Sequence, residues 1–192
     1  MEGLKNHLIL ASSSPQRFSL LVEAGFELEV RVPEVDESIL VGESAESLVE
    51  RLAVGKLDAV INDGECGVAA DTVVAINEKI LGKPGSPEIA FEMLQTLSGE
   101  THAVITGVSL SGPKGRRSLV VSTQVRWREL SEEEIITYIK SGEPLDKAGG
   151  YGIQGSGKDF VVSFEGSFDN IVGLPVKEVI SLLSELGCSC SK

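Results

Sequence analysis

Apolar and polar positions change period repeatedly along the chain. "HLILA" at residues 7–11 is an apolar run of strand length, and "FSLLVEAG" follows with helical spacing that ends at Gly25. These predict a strand over 7–11 and a helix over about 15–24. "FELEVRV" reads as extended. Ala45, Leu48, Val49, Leu52, Ala53, Leu57 and Val60 fall on one helical stripe, opened by Ser44. "GVAADTVVAI" is a strand, and "NEK" turns it into "IL". Ser86, Pro87 and Gly99 bracket another helix. "HAVITGVSL" and "SLVVSTQVRW" alternate around "GPKG", and Ser131 with Glu134 forms a capping box. A glycine-rich loop spans 142–157, "DFVVSF" is a strand, and "PVKEVISLLSELG" is the last helix. Strands interleaved with helices predict an α/β fold with a mixed sheet.

Composition narrows this picture. At about 100–200 residues per domain, a chain of 192 residues is expected to form a single domain over 1–192. No apolar run approaches the ~20 residues that cross a bilayer. "MEGLKNHLILASSS" is too short and too weakly basic for a signal peptide, so the expected location is cytoplasmic, with no membrane partner. The formal charge of −12, from 29 acids against 17 bases, argues against a nucleic acid polymer as partner. It leaves room for a small phosphorylated ligand held by a few local cations and a divalent metal. Cys66, Cys188 and Cys190 are an odd set with two members near the C-terminus. They predict no disulfide framework and a frayed tail.

Candidate chemistry begins at "SSSPQR", residues 12–17. A serine cap with Pro15 at the first helical position leaves backbone N–H groups and a helix dipole facing any anion. Ser12 and Ser14 bring hydroxyls, and Arg17 can fork two bonds to a phosphate. A plain capped helix with a surface arginine would read the same way. Lys56 falls inside the apolar stripe of its helix, so it either snorkels past the core or points into a cleft. Asp71 interrupts an apolar strand; it is either bonded to strand-end backbone or acts as metal ligand or general base. A metal site needs a second acid, and "PEVDES" supplies Glu34, Asp36 and Glu37. "GKPGSP" places Lys83 in a turn. The loop 142–157 holds six glycines together with Asp146, Lys147 and Gln154. His7 and His102 read as strand-flanking residues, which leaves carboxylates for any base role. "GIQGSGKD" nearly matches a P-loop, but Asp159 replaces the hydroxyl residue and a strand follows, so it is rejected.

Taken in order, "LILASSSPQR", "EVDES", "ERLAVGK", "AADTVV", "GKP", "LSGETH", "TGV", "GEPLDKAGGYGIQG" and "VGLP" resemble the Maf family of nucleoside triphosphate pyrophosphatases over roughly residues 7 to 187. The resemblance implies an elongated mixed-sheet, inosine triphosphatase-like α/β fold with a deep cleft between two lobes, usually in a homodimer. It implies hydrolysis of a nucleoside triphosphate between the α- and β-phosphorus, with Mg²⁺ or Mn²⁺ as cofactor. Asp71 matches the catalytic carboxylate, with metal binding shared by Asp71 and Glu37. Ser12, Ser14, Arg17, Lys56 and Lys83 match phosphate-binding positions, and Gln16, Thr72 and Gln154 match specificity positions. "ADT" with "DKAGGYGIQG" is similar to the dTTP/UTP subgroup, although Gln16 stands where that subgroup commonly has arginine. The alternatives are a nucleotide-binding regulator of cell division without turnover, or a pyrophosphatase for methylated GTP or damaged purine nucleotides.

Overall fold

The computed structural model describes residues 7–188. Its elements follow the hydrophobic pattern closely. They are β1 (His7–Ala11), α1 (Pro15–Glu23), β2 (Glu27–Val30), α2 (Ala45–Asp58), β3 (Gly67–Ile76), β4 (Lys79–Leu81), α3 (Pro87–Leu97), β5 (Thr101–Gly112), β6 (Gly115–Trp127), α4 (Glu132–Lys140), β7 (Val161–Glu165), α5 (Phe168–Val172) and α6 (Val176–Glu185). Strand order is β2-β1-β3-β5-β6-β7, with β4 paired to β3. The sheet is mixed: β1 runs parallel to β2 and β3, while β4 and β7 pair antiparallel with β3 and β6.

The helix starts form for the reasons legible in the sequence. The side chains of Ser14, Ser44, Ser86 and Ser131 each accept from a backbone N–H three residues on, and Ser131 completes its capping box with Glu134. Asn77 and Glu78 take positive φ to turn β3 into β4.

The chain groups into two units. Among the described residues, one comprises 7–71, 106–121 and 173–188; the other comprises 72–105 and 122–172. In the first unit, Ala11, Leu57 and Ala69 pack together and tie α2 to β1 and β3. The backbones of α2 and β5 meet at Gly107, where a Cβ would run into the Val49 carbonyl and stand 2.7 Å from Glu50 N. In the second unit, Val74, Leu94, Leu97, Val125, Trp127 and Tyr151 form the centre of an apolar core.

Three expectations are corrected. Cys188 does not lie in a frayed tail: it is buried and forms a disulfide with Cys66, the two Cα atoms 5.8 Å apart. Folding brings together residues 122 apart in sequence, a proximity that cysteine spacing does not reveal. Cys190 lies outside the described residues. His102 is a core residue rather than a strand-flanking one. Its Nε2 is 2.9 Å from the Tyr151 hydroxyl, its ring stands edge-on to Trp127, and burial pushes its pKa down to about 4. The glycine-rich segment is not a plain loop, because it folds into 3-10 turns at Glu143–Asp146, Ala148–Gly150 and Ser156–Phe160. The last of these leads directly into β7, which agrees with rejecting the P-loop.

Candidate active site

The site is built from the carboxyl end of β1 outward. Parallel strands in an α/β sheet present ligands at their carboxyl ends. The β1–β3 register pairs Ala11 with Ala69, so Asp71 stands two residues beyond the last paired position. Ser12 follows β1 and is buried; its Oγ accepts from Ser14 N at 3.1 Å and from Arg17 Nη1 at 3.3 Å. Ser14 caps α1 and donates its hydroxyl to Gln16 Oε1 at 3.2 Å. Arg17 Nε donates to the Gly173 carbonyl at 2.9 Å, which ties the start of α1 to the "VGLP" segment. Burial lowers the Arg17 guanidinium pKa, while the nearby charges of Asp71 and Glu37 oppose that shift.

The centre of the cluster is Lys56. Helical spacing places it on the buried stripe of α2, and its ammonium turns toward β3 instead of snorkelling to solvent. Lys56 Nζ lies 2.6 Å from Asp71 Oδ1 and 2.7 Å from Glu37 Oε1. The Lys56 and Asp71 side chains are only 10% and 11% exposed, whereas Glu37 is 56% exposed. A charged pair out of water is held only by close geometry, so Lys56 and Asp71 depend on each other and Glu37 closes over them from the solvent side. Arg17 and Lys56 therefore face two carboxylates in a locally neutral group.

Of the three acids in "PEVDES", Glu37 is the one that reaches Lys56. Asp36 turns back on its own loop, accepting from both Ser38 N and the Ser38 hydroxyl, which lowers its pKa. Glu34 is exposed.

Arg51 clamps the segment that carries Glu37, and Arg31 ties the end of β2 to the residues between α2 and β3; sequence reasoning missed both. Arg51 forks onto Glu43 at 2.6 and 2.8 Å and donates to the Ser38 carbonyl at 3.0 Å. Arg31 forks onto Glu65 at 2.8 and 3.0 Å and also bonds Glu29. These bonds hold Glu43 and Glu65 each down at about 2. The signal available beforehand was weak: an arginine five residues before Lys56 is an ordinary surface residue on pattern alone.

The remaining candidates lie in the second unit. Thr72 follows Asp71 on β3 and is half-buried. Lys83 is exposed after β4, close enough to Asp146 to contribute to that carboxyl's lowered pKa, behind the larger effect of Lys147. The turn bearing Lys83 is held by Gly149 N–H on the Gly82 carbonyl at 3.0 Å and by Gly85 N–H on the Leu145 carbonyl at 3.3 Å. Gly149 sits at φ 66 directly against Val74, where any Cβ would collide. Gln154 is exposed in the turn that follows.

The sequence profile of the family described as Maf-like protein matches residues 7–186. The dTTP/UTP pyrophosphatase of Myxococcus xanthus (strain DK1622) is 47% identical over 182 residues, covering 94% of this chain and 92% of that protein. The dTTP/UTP pyrophosphatase of Acinetobacter baylyi is 42% identical over 179 residues, covering 92% of this chain and 98% of that protein. Among solved structures, a HAM1 protein from Coxiella burnetii superposes with a TM-score of 0.50 at 14% identity, covering 93% of this chain and 98% of that one. At that identity the likeness concerns the fold alone.

Proposed function

The chain belongs to the Maf-like protein family, and we propose that it hydrolyses dTTP and UTP to the monophosphate and pyrophosphate. The observation that carries this reading is the Lys56 ammonium held between Asp71 and Glu37. The names borne by relatives at 42% and 47% identity over nearly the whole chain support the choice of substrates.

Two carboxylates that meet at one cation offer hard oxygen ligands, and among the described residues no group of three His, Cys, Asp or Glu side chains is arranged to hold a metal. That set fits Mg²⁺ or Mn²⁺, which take one or two carboxylates and complete their shell with water and substrate phosphate. Asp71 and Glu37 would hold the ion. When bound, it polarises the phosphoryl group and offsets the charge that develops on the leaving pyrophosphate.

The chain's own groups do the rest. Lys56 would offer its ammonium to phosphate oxygens. Arg17, Ser12 and Ser14 offer further donors at the start of α1, and Lys83 is assigned to the triphosphate on its motif match. Asp71 orients the attacking water and takes its proton as the water oxygen bonds to the α-phosphorus. The bond from the α-phosphorus to the bridging oxygen breaks, and its electron pair leaves with pyrophosphate. Thr72, Gln154 and Gln16 are assigned to the choice of base. The Gln154 amide both donates and accepts, as pairing with a pyrimidine imide edge requires.

The test is pyrophosphate release from purified protein with Mg²⁺ or Mn²⁺, across dTTP, UTP, CTP, ATP, GTP and 7-methyl-GTP. A kcat/KM for dTTP and UTP about 10²-fold above the purines is expected, because a purine edge leaves the Gln154 amide without a matching partner. Saturable nucleotide binding without pyrophosphate release would favour the regulator reading instead.

A further inference from the structure

The segment that carries Gln154 is fastened on both sides by one pair of residues. Tyr138, on α4, donates its hydroxyl to Glu143 Oε1 at 2.9 Å and accepts from Gly152 N at 3.1 Å. Glu143 Oε2 accepts from Ser156 N at 3.1 Å. Gly152 and Ser156 each stand two residues from Gln154, so the two anchors bracket it symmetrically. Between them, Gly155 N–H donates to the Gly152 carbonyl at 3.2 Å and closes the turn. Lys147 Nζ donates to the Glu143 carbonyl at 3.1 Å and fixes the other end of that residue.

The glycines of this segment are explained by the same carboxylate. A Cβ on Gly155 would run into the Glu143 carboxylate, and one on Gly152 would lie 3.1 Å from Glu143 Oε1 and 2.9 Å from the Lys147 side chain. A Cβ on Gly157 would lie 2.9 Å from the Tyr138 hydroxyl. The backbone must approach Glu143 and Tyr138 this closely for the N–H bonds to form. Tyr138 is itself buried, edge-on to Phe160 in the core, so the anchor is rigid.

We infer that Glu143, with Tyr138, is a positioning residue for base selection: it holds the 152–156 turn in the one geometry that presents the Gln154 amide to the pyrimidine. This rests on the base-reading role proposed above for Gln154. Neither Glu143 nor Tyr138 is placed in contact with substrate; they act through Gln154.

The test compares Glu143→Ala, Glu143→Gln, Tyr138→Phe and Gln154→Ala for kcat and KM on dTTP and GTP, together with the melting temperature. Losing a charge-assisted anchor is expected to lower the dTTP-to-GTP ratio of kcat/KM about tenfold in Glu143→Ala, mainly through a higher KM for dTTP. Glu143→Gln keeps one acceptor and is expected to recover part of the ratio. Tyr138→Phe, which removes the hydroxyl but keeps the buried ring, is expected to move the ratio in the same direction. The double variant Glu143→Ala/Gln154→Ala is expected to show no lower ratio than Gln154→Ala alone. If Gln154→Ala lowers the ratio while folded Glu143→Ala and Tyr138→Phe keep it, Glu143 is a structural residue only and the inference is overturned. If Gln154→Ala leaves the ratio unchanged, the base-reading role fails first and takes the inference with it.

Discussion

Replacing Lys56 with methionine keeps an unbranched side chain on α2 and removes one ammonium from two carboxylates. Glu37, 56% exposed, can turn to water at little cost. Asp71, 11% exposed, cannot, and is left as a buried charge without its nearest partner. Removing one member of a buried pair costs about 3–5 kcal/mol. Arg17 remains within electrostatic reach of Asp71, so the lower end is expected. For a chain of 192 residues, about 3 kcal/mol corresponds to a fall in Tm of roughly 6–12 °C. Asp71→Asn alone should be milder, about 1 kcal/mol, because Lys56 keeps Glu37. The double variant Lys56→Met/Asp71→Asn should regain about 2 kcal/mol over Lys56→Met, since no charge is then stranded. Urea unfolding followed by circular dichroism, read as a double-mutant cycle, measures the coupling. A Lys56→Met variant as stable as the wild type, or a double variant no better than that single one, would show that the ammonium does not neutralise Asp71.

Three further outcomes are expected. The unfolded chain protonates His102 below about 6.5 and the folded chain only below about 4, so between those values the unfolded state holds more protons and stability falls as pH falls. The loss should reach ~3 kcal/mol by pH 4, and His102→Phe should remove that part of the slope in urea titrations run from pH 4 to 7. Gly107→Ala should cost about 3 kcal/mol or more and depress turnover, because the new methyl meets backbone of the helix that carries Lys56; calorimetry and pyrophosphate release on one preparation would check both. Reducing the Cys66–Cys188 bond should cost about 2–4 kcal/mol, and Cys188→Ser should match the reduced protein and show no response to dithiothreitol.

Local rules made the elements legible. Serine caps opened four helices at the expected residues, and the apolar run of β3 placed its bounds correctly. Lys56 and Asp71 were legible as anomalies, since each breaks an apolar pattern that its neighbours keep. Their meeting was not, because a contact across 15 residues depends on how α2 packs on the sheet rather than on either local pattern. The same limit hid the Arg51 and Arg31 forks, whose partners are set by loop geometry, and the Cys66–Cys188 bond, whose ends meet only after β3 and α6 are placed. His102 was misplaced because a strand's first residues can face either solvent or core. The turns within 142–157 were missed because glycine carries no periodic signal. There the deciding residues are Glu143 and Tyr138, which an eye set on glycines passes over.

The most direct measurement of the central claim is hydrolysis of dTTP by the purified protein in water enriched in oxygen-18, with Mg²⁺ present and both products weighed by mass spectrometry. Attack on the α-phosphorus by water held at Asp71 gives dTMP carrying one labelled oxygen and pyrophosphate carrying none, and Asp71→Asn should lower the rate by about 10²–10⁴-fold with no change in where label appears. Label in pyrophosphate, release of orthophosphate instead of pyrophosphate, or full activity in a folded Asp71→Asn variant would contradict it.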